Sequence, residues 1–185
     1  MRKFLVLLCA TVLILCASGP AFASLITVDV YASHSTTGGG TPYSGFVGSF
    51  LSPDIMFATN TSYNWHPFGL PDFGAEMTGY LLVSSDATYA FTLDSDDGSL
   101  LFIDDSLAVD NGGAHAPRVV TGSVFLTAGL HPFTVQFFED FGGPSGVDLI
   151  LPEGVRYSAV PEPATLLLLG TGLIGLVGLR RRFRN

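Results

Sequence analysis

Three carboxylates lie close together near the middle of the chain, at Asp94, Asp96 and Asp97, and Gly98 follows them directly. Like charges at this spacing repel each other unless a cation or backbone N–H groups compensate them. Carboxylate oxygens are also the ligands that hard cations prefer. The same residue types occur in tight turns that are simply solvated, because aspartate and glycine suit turn geometry. The stretch therefore predicts either a cation site or a solvated turn.

Other residues that could do chemistry form no recognisable motif. The four histidines show no spacing typical of metal ligands, and the chain contains no G-x-S-x-G nucleophile motif. Trp65 could stack on a sugar ring, and packing in the core is the alternative role for the same side chain. The lack of such motifs favours a binding or structural protein over an enzyme.

Apolar runs flank the carboxylates and must position them. Tyr89, Phe91 and Leu93 alternate with smaller residues, and an apolar run resumes over residues 100–103. Two strand-like runs on either side of a short turn predict a β-hairpin. The adjacent residues Asp104 and Asp105 predict the turn of the next hairpin.

The apolar pattern between the two termini has a period of two rather than 3.6, which is typical of strands. The predicted strands cover residues 25–32, 80–83, 88–93, 100–103, 123–126, 133–138 and 147–151. Short strands separated by turns predict an all-β fold, an antiparallel β-sandwich or barrel, for one domain over residues 24–158. Residues 33–43, rich in glycine, predict a flexible loop, and residues 53–71 predict a long irregular connection.

The N-terminus has the three parts of a secretory signal peptide. Two basic residues precede an apolar run over residues 4–16, and the small residues Ala21 and Ala23 follow at the spacing of a signal-peptidase site. Residues 1–23 are therefore predicted to be removed. Both cysteines lie within that segment, so no disulfide is expected in the mature protein.

Charge is unevenly distributed along the chain. All sixteen acidic residues and only two of the eight basic residues lie between the signal peptide and residue 162, which gives that part a formal net charge of −14. A field of this sign disfavours nucleic acid and anionic lipid as partners. It is compatible with divalent cations and neutral polymers.

Several spaced blocks of residues resemble the PA14 domain of protective antigen and flocculin-type adhesins. The blocks occur in one order over about residues 77–151: Gly79-Tyr80-Leu81, Tyr89-Ala90-Phe91, Asp96-Asp97-Gly98-Ser99-Leu100, Phe102-Ile103-Asp104, Val109-Asp110-Asn111, Leu126 to His131, and Phe137-Phe138-Glu139. The resemblance implies a β-sandwich found in toxins, glycosidases, flocculins and bacterial surface proteins, many of which bind carbohydrate.

The same resemblance implies a metal site. In the lectin members of the family, two adjacent aspartates joined by a cis peptide hold Ca²⁺, and the ion also contacts sugar hydroxyls. The matching positions here are Asp96 and Asp97. The family's second calcium loop offers an asparagine and backbone carbonyls, and it has no clear counterpart here: residues 139–146 occupy its place but lack that asparagine. Asp140 is the ligand expected from this segment. Asp96, Asp97 and Asp140 are thus the predicted metal ligands, and Asp96, Asp97 and Trp65 the predicted glycan contacts.

The C-terminal tail, residues 159–185, carries a second resemblance. A Val-Pro-Glu-Pro motif at residues 160–163 precedes an uncharged apolar stretch, residues 164–179, and a basic cluster, residues 180–184. The stretch predicts a single transmembrane helix with a cytoplasmic C-terminus. The three parts together resemble a PEP-CTERM sorting signal, which implies processing by an exosortase-type enzyme and delivery from a transient inner-membrane anchor to the cell surface or extracellular matrix.

The sequence therefore predicts an exported, surface-sorted protein that binds carbohydrate or exopolysaccharide with the help of calcium. A structural surface or matrix protein without a specific ligand is the alternative, and a hydrolase accessory domain is the third hypothesis. The PA14 resemblance does not decide among them, because one fold serves many functions.

Overall fold

The computed structural model describes residues 26–57, 65–140, 142–143 and 145–159. The predicted signal peptide and all but the first residue of the predicted sorting tail lie outside these residues. Every regular element that the structure describes is a strand. The strands are β1 (Ile26–Ser33), β2 (Ser44–Ser52), β3 (Met56–Phe57), β4 (Phe73–Val83), β5 (Ala87–Asp96), β6 (Ser99–Ile103), β7 (Ser106–Asn111), β8 (Arg118–Leu126), β9 (Gly129–Glu139), β10 (Gly146–Ile150) and β11 (Val155–Ser158).

The strands form two sheets, and their described pairings are antiparallel. One sheet has seven strands in the order β2-β1-β4-β9-β6-β7, with β11 paired to β4 beside this path. The other has four strands in the order β3-β10-β5-β8. The predicted antiparallel β-sandwich is confirmed, because the apolar side chains of both sheets share one core.

Alternation along the strands explains why these sequences form two facing sheets. In β5, Tyr89, Phe91 and Leu93 are buried, whereas Thr88 before them and Ala90 among them are exposed. Strand β9 alternates in the same way and buries Val135 and Phe137. Because successive side chains of a strand point to opposite faces, this alternation makes one face of each sheet apolar. Burial of the two apolar faces against each other stabilises the sandwich.

The hairpin predicted over residues 89–103 is wrong. Strand β5 pairs with β8 and β10 in the four-stranded sheet, whereas β6 pairs with β7 and β9 in the seven-stranded sheet. The connection at Asp97 and Gly98 therefore crosses from one layer to the other. Two apolar runs around a short turn look the same in sequence whether they pair with each other or with distant strands, because pairing depends on contacts elsewhere in the chain.

Several strands lack a strong sequence signal. Strands β2, β3, β7 and β11 are absent from the predicted set, and β4 and β8 are longer than predicted. Strand β2 contains Gly45 and Gly48, which weaken strand propensity. Gly48 is required by packing, since a Cβ there would lie 2.6 Å from the ring of Phe68.

The turn predicted at Asp104 and Asp105 is confirmed. It joins β6 to β7, and both residues have positive φ, 50° and 60°, as a two-residue hairpin turn requires. The Asp104 carboxylate accepts a hydrogen bond from Nδ1 of His131 at 2.6 Å, and Nε2 of His131 lies 2.9 Å from the Thr127 carbonyl. Both partners are acceptors, so the imidazolium form of His131, which donates from both nitrogens, satisfies them together.

Within the part of the chain that the structure describes, no helix has the length and apolar character of a membrane span. The predicted transmembrane segment, residues 164–179, lies outside that part.

We predict that the pair of His131 and Asp104 makes stability depend on pH. Burial alone would lower the pKa of His131, but the hydrogen bonds to Asp104 and to the Thr127 carbonyl, with the Asp104 charge, raise it above its ordinary value of 6.5. The pair therefore stabilises the fold fully below pH 6.5. This stabilisation is lost as the pH rises through the higher pKa that His131 has in the folded protein. Because Asp104 is half-exposed, we expect the pair to contribute only about 1 kcal/mol to the free energy of unfolding.

Asp104→Asn tests this prediction without changing the turn, because asparagine also tolerates positive φ. Chemical denaturation across pH 5–9 should show a smaller loss of stability with rising pH in this variant than in the wild type. Asp105→Asn is the matched control, since it changes the same charge in the same turn. An equal pH dependence in the wild type and Asp104→Asn would contradict the assignment.

Candidate functional site

Three carboxylates meet where β5 and β9 end. Asp96 is the last residue of β5, Asp97 follows it through a cis peptide, and Glu139 is the last residue of β9. One oxygen from each of the three side chains lies within 4.8 Å of the other two. The group forms because β9 and β6 are neighbours, and their register places Ser99, just after the Asp96–Asp97 turn, opposite Phe137.

Gly98 allows the chain to cross between the sheets at this point. A Cβ on Gly98 would lie 2.5 Å from the ring of Phe138, 2.7 Å from the Gly113 carbonyl oxygen and 2.9 Å from the Gly38 carbonyl oxygen. Two of these neighbours are backbone, which cannot move aside as a flexible side chain can. A side chain at position 98 would therefore displace the turn. The positions of the adjacent carboxylates depend on this glycine.

The Asp97 carboxylate is buried and holds two loops. One oxygen accepts the backbone N–H of His115 at 2.8 Å, and the other accepts the backbone N–H of Asp140 at 2.9 Å. These N–H groups compensate part of its negative charge. The loop after β7 and the loop after β9 are thereby fixed on either side of the carboxylate group.

A buried polar network supports the same turn from below. Nδ2 of Asn111 donates to Oγ of Ser95 at 2.9 Å, and Ser95 Oγ lies 2.7 Å from Oγ of Ser99. Nε of Arg118 donates to Oδ1 of Asn111 at 2.7 Å. Ser95, Ser99 and Asn111 are fully buried, and a satisfied network of this kind fixes one geometry for the residues that flank Asp96 and Asp97.

Glu139 is the most perturbed of the three acids. It is 2% exposed, Oε1 accepts the backbone N–H of Gly143 at 2.9 Å, and Oε2 is buried without a hydrogen-bond partner among the described residues. Burial raises the pKa of Glu139 to about 8 against the effect of that hydrogen bond, and the charges of Asp97 and Asp96 add to the rise. In the absence of a cation, a proton occupies this side chain at neutral pH.

Asp96 is less buried than Asp97 and Glu139. Burial and the neighbouring Asp97 charge raise the pKa of Asp96, and His115 opposes the rise. The Asp96 carboxylate takes part in no hydrogen bond within the described residues, which leaves its oxygens available for a ligand.

The three carboxylates open into a depression of about 430 Å³. Its lining residues are Asp96, Asp97, Ala114, His115, Ala116, Glu139, Asp140 and Gly143. The site therefore combines a negative floor with a wall of small residues on one side, and it is large enough to admit a ligand beside an ion.

Some of the site residues predicted from the sequence line the depression, and others lie elsewhere. Asp140 lines the depression and donates its backbone N–H to Asp97, but the third carboxylate of the close group belongs to Glu139. Asp94 lies opposite Asp148 in the four-stranded sheet and is not among the lining residues. Glu139 lies in a block that resembles the family and begins the segment of residues 139–146, but it was not predicted as a ligand, because the pairing of β9 with β6 is what brings it to the group.

Trp65 does not line the depression. Its ring stacks on Phe57 with centroids 4.2 Å apart and packs edge-on against Phe73 and Phe50 at 5.3 and 6.4 Å. The structure thus places Trp65 half-buried against the core, and we do not include it in the site.

The chemistry of the group fits a hard cation. Three carboxylates supply oxygen ligands, the unpartnered Oε2 of Glu139 is a buried acceptor with nothing to accept, and the like charges would gain most from a divalent ion. Calcium suits this oxygen set better than a transition metal does, because no described histidine or cysteine belongs to the group.

Two family models match the chain. The PA14 domain matches residues 32–161, and the PEP-CTERM protein-sorting motif matches residues 159–182. No curated protein matches it. The sorting motif indicates export and delivery to the cell surface.

Solved structures share the fold at low identity. An anti-sigma factor domain-containing protein from Clostridium clariflavum is 18% identical with a TM-score of 0.56, covering 75% of this chain and 48% of that one. The PA14 domain of the MpAFP antifreeze protein is 14% identical with a TM-score of 0.56, covering 78% and 88%. The PA14 sugar-binding domain from an RTX adhesin is 15% identical with a TM-score of 0.51, covering 73% and 90%. The chain thus spans about half of the first of these proteins and most of the two isolated domains.

We predict that Glu139 makes the cation-free protein less stable as the pH rises. Its pKa in the fold, about 8, lies above its ordinary value of 4.5, so the folded state holds an extra proton between these values. The stabilisation is full below pH 4.5 and is lost as the pH rises through about 8, by at most about 1.4 kcal/mol per pH unit. With a chelator present, Glu139→Gln should flatten this slope in denaturation experiments.

Glu153→Gln is the control, because Glu153 is exposed in the turn before β11. Asp96 has a raised pKa of the same sign, so a smaller slope should persist in Glu139→Gln. A slope in Glu139→Gln as steep as in the wild type would show that Glu139 does not hold the proton.

Proposed function

The chain belongs to the PA14 domain family, and from that premise we propose that it is a calcium-assisted carbohydrate-binding or exopolysaccharide-binding module of the cell surface or extracellular matrix. The observation that carries the proposal is the group of Asp96, Asp97 and Glu139 at the floor of an open depression. A PA14 domain is typically a binding domain, although some hydrolases carry one. We therefore propose binding rather than catalysis.

Asp96, Asp97 and Glu139 would hold the ion. Calcium supplies coordination positions that sugar hydroxyls can occupy, since the ion accepts six to eight oxygen ligands. Asp97 contributes in a second way, because its hydrogen bonds to the His115 and Asp140 N–H groups keep the two loops beside the depression in place. Glu139 would exchange its proton for the ion, which removes the cost of burying an ionised carboxylate alone.

Charge supports a neutral glycan over an anionic partner. The part of the chain between the signal peptide and residue 162 carries a formal net charge of −14, and no lysine or arginine lines the depression. A polymer without negative charge avoids repulsion from this field. One structural neighbour is a sugar-binding domain of an adhesin, which is a property of that protein and motivates the choice of ligand class here.

We predict that calcium raises the melting temperature of the full chain, purified in a detergent without sugar groups. An ion that binds only the folded state stabilises it by mass action. For a site of millimolar affinity, 10 mM calcium should raise the melting temperature by about 5 °C, and excess chelator should reverse the shift. Asp96→Asn should remove most of the shift without disturbing the loops, because the Asp96 carboxylate holds neither of them.

Asp94→Asn is the matched control, since it removes the same charge from the same strand outside the depression. Glycan binding should follow the same order among the variants. If the wild type shows no calcium shift and binds no glycan, the structural surface protein without a specific ligand becomes the better account.

We also propose that the tail directs processing by an exosortase-type enzyme after transient anchoring in the inner membrane. Replacing Pro161, Glu162 and Pro163 by alanine should leave the protein in the membrane fraction, because the motif that identifies it for release is lost. Fractionation followed by immunoblotting measures the distribution. Replacing Pro152 and Glu153 by alanine is the control, since this is a Pro-Glu pair outside the motif. Unchanged surface delivery of the Pro161–Pro163 variant would contradict the proposal.

A further inference from the structure

A second depression, of about 210 Å³, lies on the outer face of the seven-stranded sheet. Its lining residues are Glu76, Phe102, Asp105, Thr134 and Gln136. None of these residues lines the depression that contains Asp96 and Asp97. The two depressions are therefore built from different side chains of the same domain.

Strand register brings the lining residues together. Glu76 of β4 is opposite Gln136 of β9, and Thr134 of β9 is opposite Phe102 of β6. Residues of this parity point away from the core, whereas Val135 between Thr134 and Gln136 is fully buried. Asp105 reaches the same place from the turn that joins β6 to β7. Three adjacent strands and a fixed turn thus hold the lining.

The loop between β1 and β2 borders this depression. Gly39 packs so closely on the sheet that a Cβ there would lie 2.7 Å from Cβ of Gln136 and 3.1 Å from the side chain of Leu100. The Tyr43 hydroxyl donates to the Gly39 carbonyl and accepts the N–H of Phe137 at 3.1 Å. The carbonyl of the preceding residue, Gly38, accepts the N–H of Gly113, which lies on the side of the first depression. The loop lies between the two.

We propose that the second depression binds one saccharide unit of a neutral polysaccharide without a cation. Phe102 offers an apolar face for the C–H side of a sugar ring. The carboxylates of Glu76 and Asp105 can accept hydrogen bonds from sugar hydroxyls, and the Gln136 amide both donates and accepts, which matches hydroxyl groups that do the same. None of the described residues that line the depression is basic, so anionic ligands are disfavoured.

A cation is not required by this arrangement. Among the described residues, the group close enough to hold a metal ion is that of Asp96, Asp97 and Glu139, and neither Glu76 nor Asp105 belongs to it. The carboxylates of the second depression therefore act as hydrogen-bond acceptors, and binding there should persist when calcium is removed.

The surrounding face could accommodate more than one sugar unit. Asp29 of β1 is opposite Glu76, and Tyr31 lies two residues further along β1. The ring of Tyr31 contacts that of Phe46, which is 60% exposed, with centroids 5.7 Å apart. An extended polymer crossing from Phe102 toward β2 would meet polar groups first and aromatic rings next.

The inference goes beyond the proposed function, because it makes one domain bivalent for polysaccharide. Two sites on one rigid domain raise the effective concentration of a long polymer at the second site once the first is occupied. A protein with one calcium-dependent and one calcium-independent site could also join two polymer chains.

Affinity electrophoresis tests the inference on the full chain in a zwitterionic detergent without sugar groups. Native gels containing β-glucan, mannan or galactan, each run once with excess EDTA and once with 10 mM calcium, are compared with gels without polysaccharide. At least one polymer should retard the wild type. Phe102→Ala should weaken the apparent affinity about threefold to tenfold, because the aromatic face is lost. Glu76→Gln, which keeps the shape of the side chain, should also weaken it.

Ser123→Ala is the control on the exposed face of the four-stranded sheet, away from this depression and the polymer path, and Asp96→Asn is the control for the calcium site. Both should be retarded like the wild type in EDTA. Unchanged melting temperatures of Phe102→Ala and Glu76→Gln would show that these variants fold.

The possible results separate the two sites. Failure of all three polymers to retard the wild type in EDTA, or equal retardation of Phe102→Ala, overturns the second site. Retardation that requires calcium and is lost in Asp96→Asn alone also overturns it while supporting the proposed function. Retardation in EDTA that Phe102→Ala weakens, with no calcium effect in any gel, supports the second site and counts against the calcium-assisted one.

Discussion

The Asp97 carboxylate accepts one backbone N–H from each of two loops, His115 at 2.8 Å and Asp140 at 2.9 Å. Hydrogen bonds to a charged acceptor contribute about 1.5–3 kcal/mol each, so this side chain fixes both loops to the turn between the sheets. The depression has its walls because the loops are held there. Its floor has the same origin, since the side chain that accepts both N–H groups is one of the three acids that form the floor.

The three acids are compensated in three different ways. Backbone N–H groups compensate Asp97, a proton compensates Glu139 at neutral pH in the absence of a cation, and Asp96 remains free of hydrogen bonds within the described residues. The sandwich can therefore fold without metal and still present oxygens to one. A cation would be held by all three carboxylates, and Asp97 would in addition keep the loops in place with or without the ion. Asp97 thus combines a structural role with a binding role.

Local patterns in the sequence predicted the strands that alternate cleanly, such as β5 and β9, and the resemblance of Asp96-Asp97-Gly98 to a family motif located the turn between the sheets. The pairing of β5 and β6 was predicted wrongly, because a crossing between layers has the same local pattern as a hairpin. Glu139 could not be assigned as a ligand by spacing, since it lies 42 positions after Asp97 and the pairing of β9 with β6 brings them together. Trp65 is half-buried against the core because it packs on aromatic neighbours from β2, β3 and β4.

The glycine-rich segment of residues 33–43 shows how composition can mislead about order. Three consecutive glycines predicted flexibility, yet Gly39 and Gly40 are buried and their lack of side chains permits contact with the sheet. A Cβ on Gly40 would lie 2.7 Å from Cβ of Phe138, just as one on Gly39 would meet Gln136. The Tyr43 hydroxyl bonds to both this loop and β9 and so fixes the loop to the sheet between the two depressions. Close approach, rather than freedom of motion, explains the glycines.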